Sequence, residues 1–488
     1  MIVVEAILLI PLAVAIACFF LPHPRAIEAS ALLGTGALFV IALMLGIDVF
    51  NNGPVQYSYW YVDELSAFML FIITFVALMV AIYSVSYIGH DYEEREIDLR
   101  QFRSYYLMVQ LFLLTMLLVV VCNNLGIMWV AIEGTTLASA FLVGFYEKDT
   151  SVEAAWKYLI ICSLGIALAL FGIVLTYASS IEVLGASSSA LEWTTLRSIA
   201  PQLDPTYLRL AFIFIMVGYG TKVGLAPMHT WLPDAHSQAP SPISALLSAV
   251  LLNCAFYGIL RFFIITELCV PGFAPTLMLI FGLLSMAVAA AFIIAAKDYK
   301  RLLAYSSIEH MGVISLGFGL GGSIGIFGAL VQMFGHAMTK CLLFFGAGNI
   351  LQKYNTKSID EVRGVISVMP VTGALLLLGA LAITGSPPFS IFIGEVAILQ
   401  AGLSGEQYLV SGLYLALLVI IFAAFMYHIS RMVFGKTTEG VTKGDARPIS
   451  LIPMLLLLGI ILIIGVFLPE PFTDMVEQVA GIFPGGGT

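Results

Sequence analysis

Residues 222–242 read "KVGLAPMHTWLPDAHSQAPSP", and they stand in a chain that is otherwise oily for hundreds of residues. One lysine, two histidines, one aspartate and four prolines fall within these 21 positions. Proline lacks the backbone N–H and clashes with the preceding turn, so no regular helix runs through Pro227. Apolar sequence nevertheless resumes beyond it without a proper loop, so the segment reads as a helix broken part-way. Irregular backbone at membrane depth is tolerated only where it is buried in protein or lines a watery cavity. The break is therefore expected to admit water and to present Lys222, five residues earlier, to it. "ITGSPPFSIFIGE" (383–395) repeats the arrangement, with Pro387 and Pro388 interrupting the run before Glu395. Broken helices in corresponding places of two halves are a pointer to an ion site in transporter folds.

The composition around these breaks sets the class. Of 488 residues, 60% are hydrophobic and only 10% charged, whereas a soluble domain carries about a quarter charged residues. The apolar runs are long enough to cross a ~30 Å hydrocarbon core as helices, and the ten-residue alternation of a membrane barrel is absent. The run after Met1 has no basic leader and no small-residue cleavage site, so it reads as a retained first helix. Fourteen spans are predicted, centred near residues 11, 37, 75, 113, 134, 166, 217, 252, 285, 311, 337, 382, 421 and 459. With loops alternating between two sides, sixteen lysines and arginines collect on one side. Only Arg197, Arg209 and Arg261 collect on the other, and Lys222 and Lys340 lie inside helices, which accounts for all 21. By the positive-inside rule the basic side is cytoplasmic. The expectation is an all-α polytopic membrane protein of the inner (cytoplasmic) membrane, a single domain over 1–488, with both termini outside. The longest connection, about 179–207, reads as an outer loop.

Several chemistries are excluded. The six cysteines are scattered singly with no CxxC pair, which argues against iron–sulfur or zinc sites. No Gly-rich loop follows a strand. No cofactor and no metal are expected in this chain, and it has no redox active site of its own. The net charge of −9 and the lack of a basic patch give no sign of nucleic-acid binding.

Ionisable groups inside membrane helices are costly, about 2.5–3.5 kcal/mol each for Lys, Arg or Asp on insertion scales. The candidates are Glu133, Lys222, His310, His336, Lys340 and Glu395, spread over helices 5, 7, 10, 11 and 12, with Glu309 beside His310. His229, Asp234 and His236 follow Lys222 and form a secondary path with Asn253. A structural ion pair would explain any one of them. A set crossing five helices suits a hydrated relay better, because burial brings the proton affinities of lysine and carboxylate toward one another and histidine titrates near neutrality. His336 and Lys340, at i and i+4, share one helix face.

"KVGLAPMHTWLPDAHSQAPSPISALLSAVLLNCAFYGILRF", "KRLLAYSSIEHMGVISLG" and "HAMTKCLLFFGAGNI" resemble the antiporter-like subunits of respiratory complex I, of Mrp Na+/H+ antiporters and of group 4 membrane-bound [NiFe] hydrogenases. The resemblance covers roughly residues 60–435. It implies two inverted five-helix repeats, helices 4–8 (about 104–265) and helices 9–13 (about 274–434), with helices 7 and 12 broken. It also implies that Glu133 and Lys222 form a gating pair, that His310, His336 and Lys340 lie on a central polar axis, and that Glu395 is its terminal site. Asn253 stands where many members carry a helix-8 lysine or histidine, and asparagine cannot hold the proton. That departure, with the "GSPPFSIFIGE" motif and no long amphipathic helix after helix 14, resembles most the hydrogenase-4 component F branch.

The expected function is thus a proton-translocating subunit of a redox-driven hydrogenase-4 or complex I-like assembly. Its implied partners are other membrane subunits, a peripheral redox arm and lipids. Iron–sulfur clusters and a NiFe centre or flavin would sit in those partners. The alternatives are an Mrp-type Na+/H+ antiporter subunit and a structural subunit that has lost transport.

Overall fold

The computed structural model describes every residue except Met1, Ser58, Ala186, Glu439 and Thr488, and leaves the side chains of Ile2 and Ser188 aside. The first half carries α1 (Ile2–Phe20), α2 (Pro24–Asn52), α3 (Glu64–Glu93), α4 (Leu99–Val121), α5 (Leu125–Val143) and α6 (Asp149–Leu184). α7 is broken into Pro205–Val223 and Trp231–Gln238, and α8 spans Ser241–Cys269. There follow α9 (Phe273–Ile294), α10 (Tyr299–Leu320) and α11 (Gly322–Tyr354). α12 is broken into Pro370–Ile383 and Ser390–Ser404, and α13 (Tyr408–Phe434), α14 (Pro448–Phe467) and a short α15 (Glu470–Ala480) complete the chain.

All fourteen expected centres fall inside α1 to α14. Eleven of these helices, among the described residues, are long and apolar enough to cross a membrane when taken singly. The three that are not are α7, α10 and α12, which carry Lys222, the Glu309–His310 pair and the second break. α7 and α10 carry charged residues within their apolar runs, and the two halves of α12 are apolar but short, at 14 and 15 residues.

Local chemistry sets the helix ends. Asp98 opens α4 with a capping box: its carboxylate accepts from Gln101 N (2.7 Å), and the Gln101 side chain accepts from Asp98 N (3.0 Å). Asn124, Asp204 and Asp298 cap α5, α7 and α10 in the same sense. The expected outer loop at 179–207 is shorter than read: α6 runs on to Leu184, and a helical turn at Trp193–Ser198 packs into the protein. At ~1.5 Å per residue the 36 residues of α6 cover about 54 Å, well beyond the hydrocarbon thickness. A two-stranded hairpin, Val55–Tyr57 with Trp60–Val62, departs from the all-helix expectation between α2 and α3.

α8 is buried along its whole span and α11 nearly so, whereas α13 faces outward over most of its length. α8 carries Asn253, α11 carries His336 and Lys340, and α10 carries Glu309 and His310. α8 contains a π-helical turn at Leu247–Leu251, a feature that often marks functional sites, and Asn253 follows it.

Candidate functional site

The first break takes its shape from Gly224, which ends the first half of α7 in the left-handed region (φ 80°) that only glycine adopts without strain. Two backbone groups at the break are held by side chains. The Thr221 carbonyl accepts from the indole Nε1 of Trp231 (2.7 Å), and the Ala226 N–H donates to Ser285 Oγ on α9 (3.0 Å).

One turn before this break, Lys222 is fully buried. Its Nζ donates to Thr136 Oγ1 and to Tyr158 OH, both at 2.6 Å. Thr136 Oγ1 donates onward to Glu133 Oε2 (3.3 Å), and Ser163 Oγ holds the other carboxylate oxygen at 2.7 Å. Thr136 stands three residues after Glu133 on α5, the spacing that places two side chains on one helix face. Ammonium, hydroxyl and carboxylate form a directed wire, because the hydroxyl accepts from lysine and donates to glutamate. The Tyr158 hydroxyl meets Ser139 Oγ at 2.7 Å, which in turn donates to the Thr135 carbonyl (2.5 Å).

The second half gathers around the other break. Lys340, fully buried on α11, donates to the Leu303 carbonyl (2.8 Å) and makes a short hydrogen bond to Ser306 Oγ. Glu309, His310 and Glu395 converge with one polar atom of each within 4.8 Å of the others. The two imidazole nitrogens of His310 are engaged: Nε2 lies 2.8 Å from the Ile383 carbonyl at the end of the first half of α12, and Nδ1 lies 2.8 Å from Gln332 Nε2. A carbonyl only accepts, so the ring carries a proton on Nε2. His310 thereby closes the carbonyl freed by the second break, as Trp231 does at the first. Glu309 Oε2 and Glu395 Oε1 are buried and make no protein hydrogen bond. Gly385, also left-handed (φ 67°), lies so close to the Glu395 carboxylate that a Cβ there would collide with it.

Other expected residues lie around these two centres. The ring of His336 is 5.4 Å from that of His310, and neither of its nitrogens has a protein partner. Asn253 donates to Ala249 O (2.9 Å) and Met333 O (3.4 Å), tying α8 to α11. His236 is fully buried between Trp231 and Phe344, and its nitrogens are also free of protein partners. His229 packs beside Phe292. Asp234 lies apart from the axis, ion-paired with Lys157 (3.2 Å) and Arg301 on the basic face. On that face a polar cleft of about 530 Å3 is lined by His90, Asp91, Tyr146, Gln238 and Lys357. Lys357 donates from its wall to the Ser237 carbonyl (2.7 Å), in the last turn of the second half of α7.

Thr136, Tyr158, Ser163, Ser306 and Gln332 were not singled out in the sequence. Hydroxyls and amides are common in membrane helices; Thr136 and Ser306 offer the signal of a three-residue spacing from a glutamate, and Tyr158, Ser163 and Gln332 offer none. Arg261 was counted as an outer-side charge. It is instead buried, bound two-fold to Asp63 (2.6 and 2.6 Å) and stacked 4.2 Å from the Trp193 ring.

Comparison with known proteins agrees with this architecture. A family model described as "NADH:quinone oxidoreductase/Mrp antiporter, TM" matches residues 122–423, and one for the N-terminus of complex I chain 5 matches 57–95. The hydrogenase-4 component F homolog of Methylacidiphilum infernorum is 40% identical over 443 residues, 90% of this chain and 91% of that protein. Among solved structures, a chain of the membrane-bound sulfane sulfur reductase, an archaeal respiratory membrane complex, superposes with a TM-score of 0.87. It shares 22% identity and is matched over 99% of this chain and 97% of its own. A chain of the Mrp complex from Dietzia sp. gives 0.86 at 17% identity, over 99% and 98%. These two likenesses are of fold. With the family model matching well over half its length, the chain belongs to the antiporter-like transmembrane subunits shared by NADH:quinone oxidoreductases and Mrp antiporters.

Proposed function

We propose that this chain is a proton-translocating subunit of a redox-driven membrane complex of the hydrogenase-4 or complex I-like kind. The observation that carries the reading is the wire from the buried Lys222 through the buried Thr136 to the half-buried Glu133, set just before the break in α7. A carboxylate brought close holds a proton on Lys222, and its withdrawal releases that proton toward the second half. The relay then passes Asn253 and the water around it, runs along the face of His336 and Lys340, and ends at Glu395. His229, Asp234 and His236 line a secondary approach from the basic-side cleft.

In this reading the partners are other membrane subunits and a peripheral redox arm. Iron–sulfur clusters and a NiFe centre or flavin belong to that arm, and none belongs to this chain. The two sets of five helices, α4–α8 and α9–α13, act as inverted repeats. The chain sits in the cytoplasmic membrane with its basic loops in the cytoplasm and the two ends of the helical bundle outside. The 40% identity to a hydrogenase-4 component F homolog favours this over a stand-alone antiporter.

The test is proton yield per redox turnover in proteoliposomes holding the intact complex. Lys222→Ala and Glu133→Ala are expected to abolish coupled translocation while the complex still assembles. A normal yield from a well-assembled Lys222→Ala complex would overturn the assignment.

A further inference from the structure

Each half holds its buried lysine on a hydroxyl three residues from a glutamate, with one difference: Thr136 donates onward to Glu133, whereas Ser306 donates to the Leu303 carbonyl. In the first, Lys222 donates to a hydroxyl, Thr136, that lies three residues from Glu133 on the neighbouring helix α5. In the second, Lys340 donates to a hydroxyl, Ser306, that lies three residues from Glu309 on the neighbouring helix α10. Residues three apart on a helix are neighbours, about 5–6 Å between Cβ atoms, so the Glu309 carboxylate is adjacent to the hydroxyl that binds Lys340.

Glu309 is buried (2% exposed), and its Oε2 makes no protein hydrogen bond. The one basic group within 4.0 Å of it is the His310 imidazole, at 3.6 Å. Both nitrogens of that ring are hydrogen-bonded elsewhere, to Ile383 and Gln332, so neither is left to bond Glu309. A buried carboxylate without an adjacent counter-charge is expensive unless it binds a proton or a cation. On its other side the carboxylate meets Glu395 within 4.8 Å, and Glu395 Oε1 is likewise unpartnered. Glu395 is held in place by Gly385, against which its carboxylate packs.

We propose that Glu309 is the relay carboxylate of the second half, taking the proton from Lys340 and handing it to Glu395. The inference rests on the translocation reading above and adds a second glutamate–hydroxyl–lysine set to it. In the first transfer an Nζ–H bond of the Lys340 ammonium breaks and its electron pair stays on nitrogen. An O–H bond forms on Glu309, leaving a neutral amine and a neutral acid. In the second transfer that O–H breaks and one forms on Glu395, returning Glu309 to the carboxylate. No electron is moved and no co-reactant is required. His310 is a positioning residue in this scheme, because it fixes the end of the first half of α12 and does not carry the proton.

The experiment uses the full complex in proteoliposomes, with proton release and redox turnover recorded together for Glu309→Gln, Glu309→Asp and Lys222→Ala. For Glu309→Gln the expectation is retained turnover with proton yield reduced to that of Glu395→Gln. Glu309→Asp restores yield, which a purely structural role for the glutamate would not require, since glutamine is the closer match in size. Infrared difference spectra on the same samples should show a carboxylic-acid band lost in both Glu309→Gln and Glu395→Gln. Normal yield in Glu309→Gln, with Lys222→Ala defective, overturns the role of Glu309 alone. Normal yield in both overturns the translocation reading with it. Should Glu309→Gln fail to assemble, the infrared difference spectrum of Glu309→Asp takes its place: a carboxylic-acid band shifted from wild type supports the proposal, and an unmoved band overturns it.

Discussion

The ammonium of Lys222 is linked to the carboxylate of Glu133 by a single hydroxyl: Thr136 Oγ1 stands 2.6 Å from one and 3.3 Å from the other. Three helices, α5, α6 and α7, supply this arrangement, because Tyr158 and Ser163 of α6 hold the lysine and the glutamate from the side.

Thr136→Val keeps the shape and removes the hydroxyl. It leaves Lys222 one acceptor poorer and cuts the wire. Loss of a buried hydrogen-bond partner costs about 1–3 kcal/mol, and 1.36 kcal/mol is a factor of ten in rate. Proton translocation is expected to slow roughly tenfold or more, with redox turnover affected less and Thr136→Ser close to wild type. Parallel stopped-flow records of proton release and substrate oxidation check this.

The Asp63–Arg261 pair makes a different prediction. Both groups are buried, and Asp63 also caps α3 through Ser66 N (2.9 Å). Removing one partner of a buried pair costs about 3–5 kcal/mol. Arg261→Met and Asp63→Asn should therefore lower the thermal midpoint and the recovery of purified protein. Arg261→Lys should rescue little, since an ammonium cannot make the two-pronged contact.

Gly385→Ala tests the seat of Glu395. The left-handed backbone costs about 1–2 kcal/mol for an alanine, and its methyl would push the carboxylate away. The expected result is a modest fall in thermal midpoint together with a proton yield as low as that of Glu395→Gln. An unchanged yield would show that the position of the carboxylate is not critical.

Cysteine labelling tests the orientation. Cys269, at the end of α8, is the one half-buried cysteine, and the other five are buried. A membrane-impermeant maleimide should label the wild-type chain from outside intact cells and should fail on inverted vesicles. The reverse pattern would invert the topology.

The helices were legible because a membrane imposes long apolar runs, and the two breaks were legible because proline forbids regular helix. What joins the helices was not. Asp63 and Arg261 lie 198 positions apart, and an outer-loop arginine and a buried one look alike in a string of letters. Tyr158 reads as one aromatic residue among 20 tyrosines until the fold places it against Lys222. Glu309 was noticed only as a neighbour of His310. Its orientation toward Lys340 and Glu395 depends on how α10 packs between α11 and α12. The π-helical turn in α8 leaves no recognisable mark in its residues.

The break in α7 is stitched at both edges, by Trp231 on the Thr221 carbonyl and by Ser285 on the Ala226 N–H. Bending at the kink would have to break both bonds. Changes of charge at Lys222 are then answered by side-chain rotation, which belongs to far shorter times than the microsecond-to-millisecond bending of whole helices. The pace of this half is set by how soon water arrives and how soon neighbouring subunits alter the field. The backbone can remain still through every cycle.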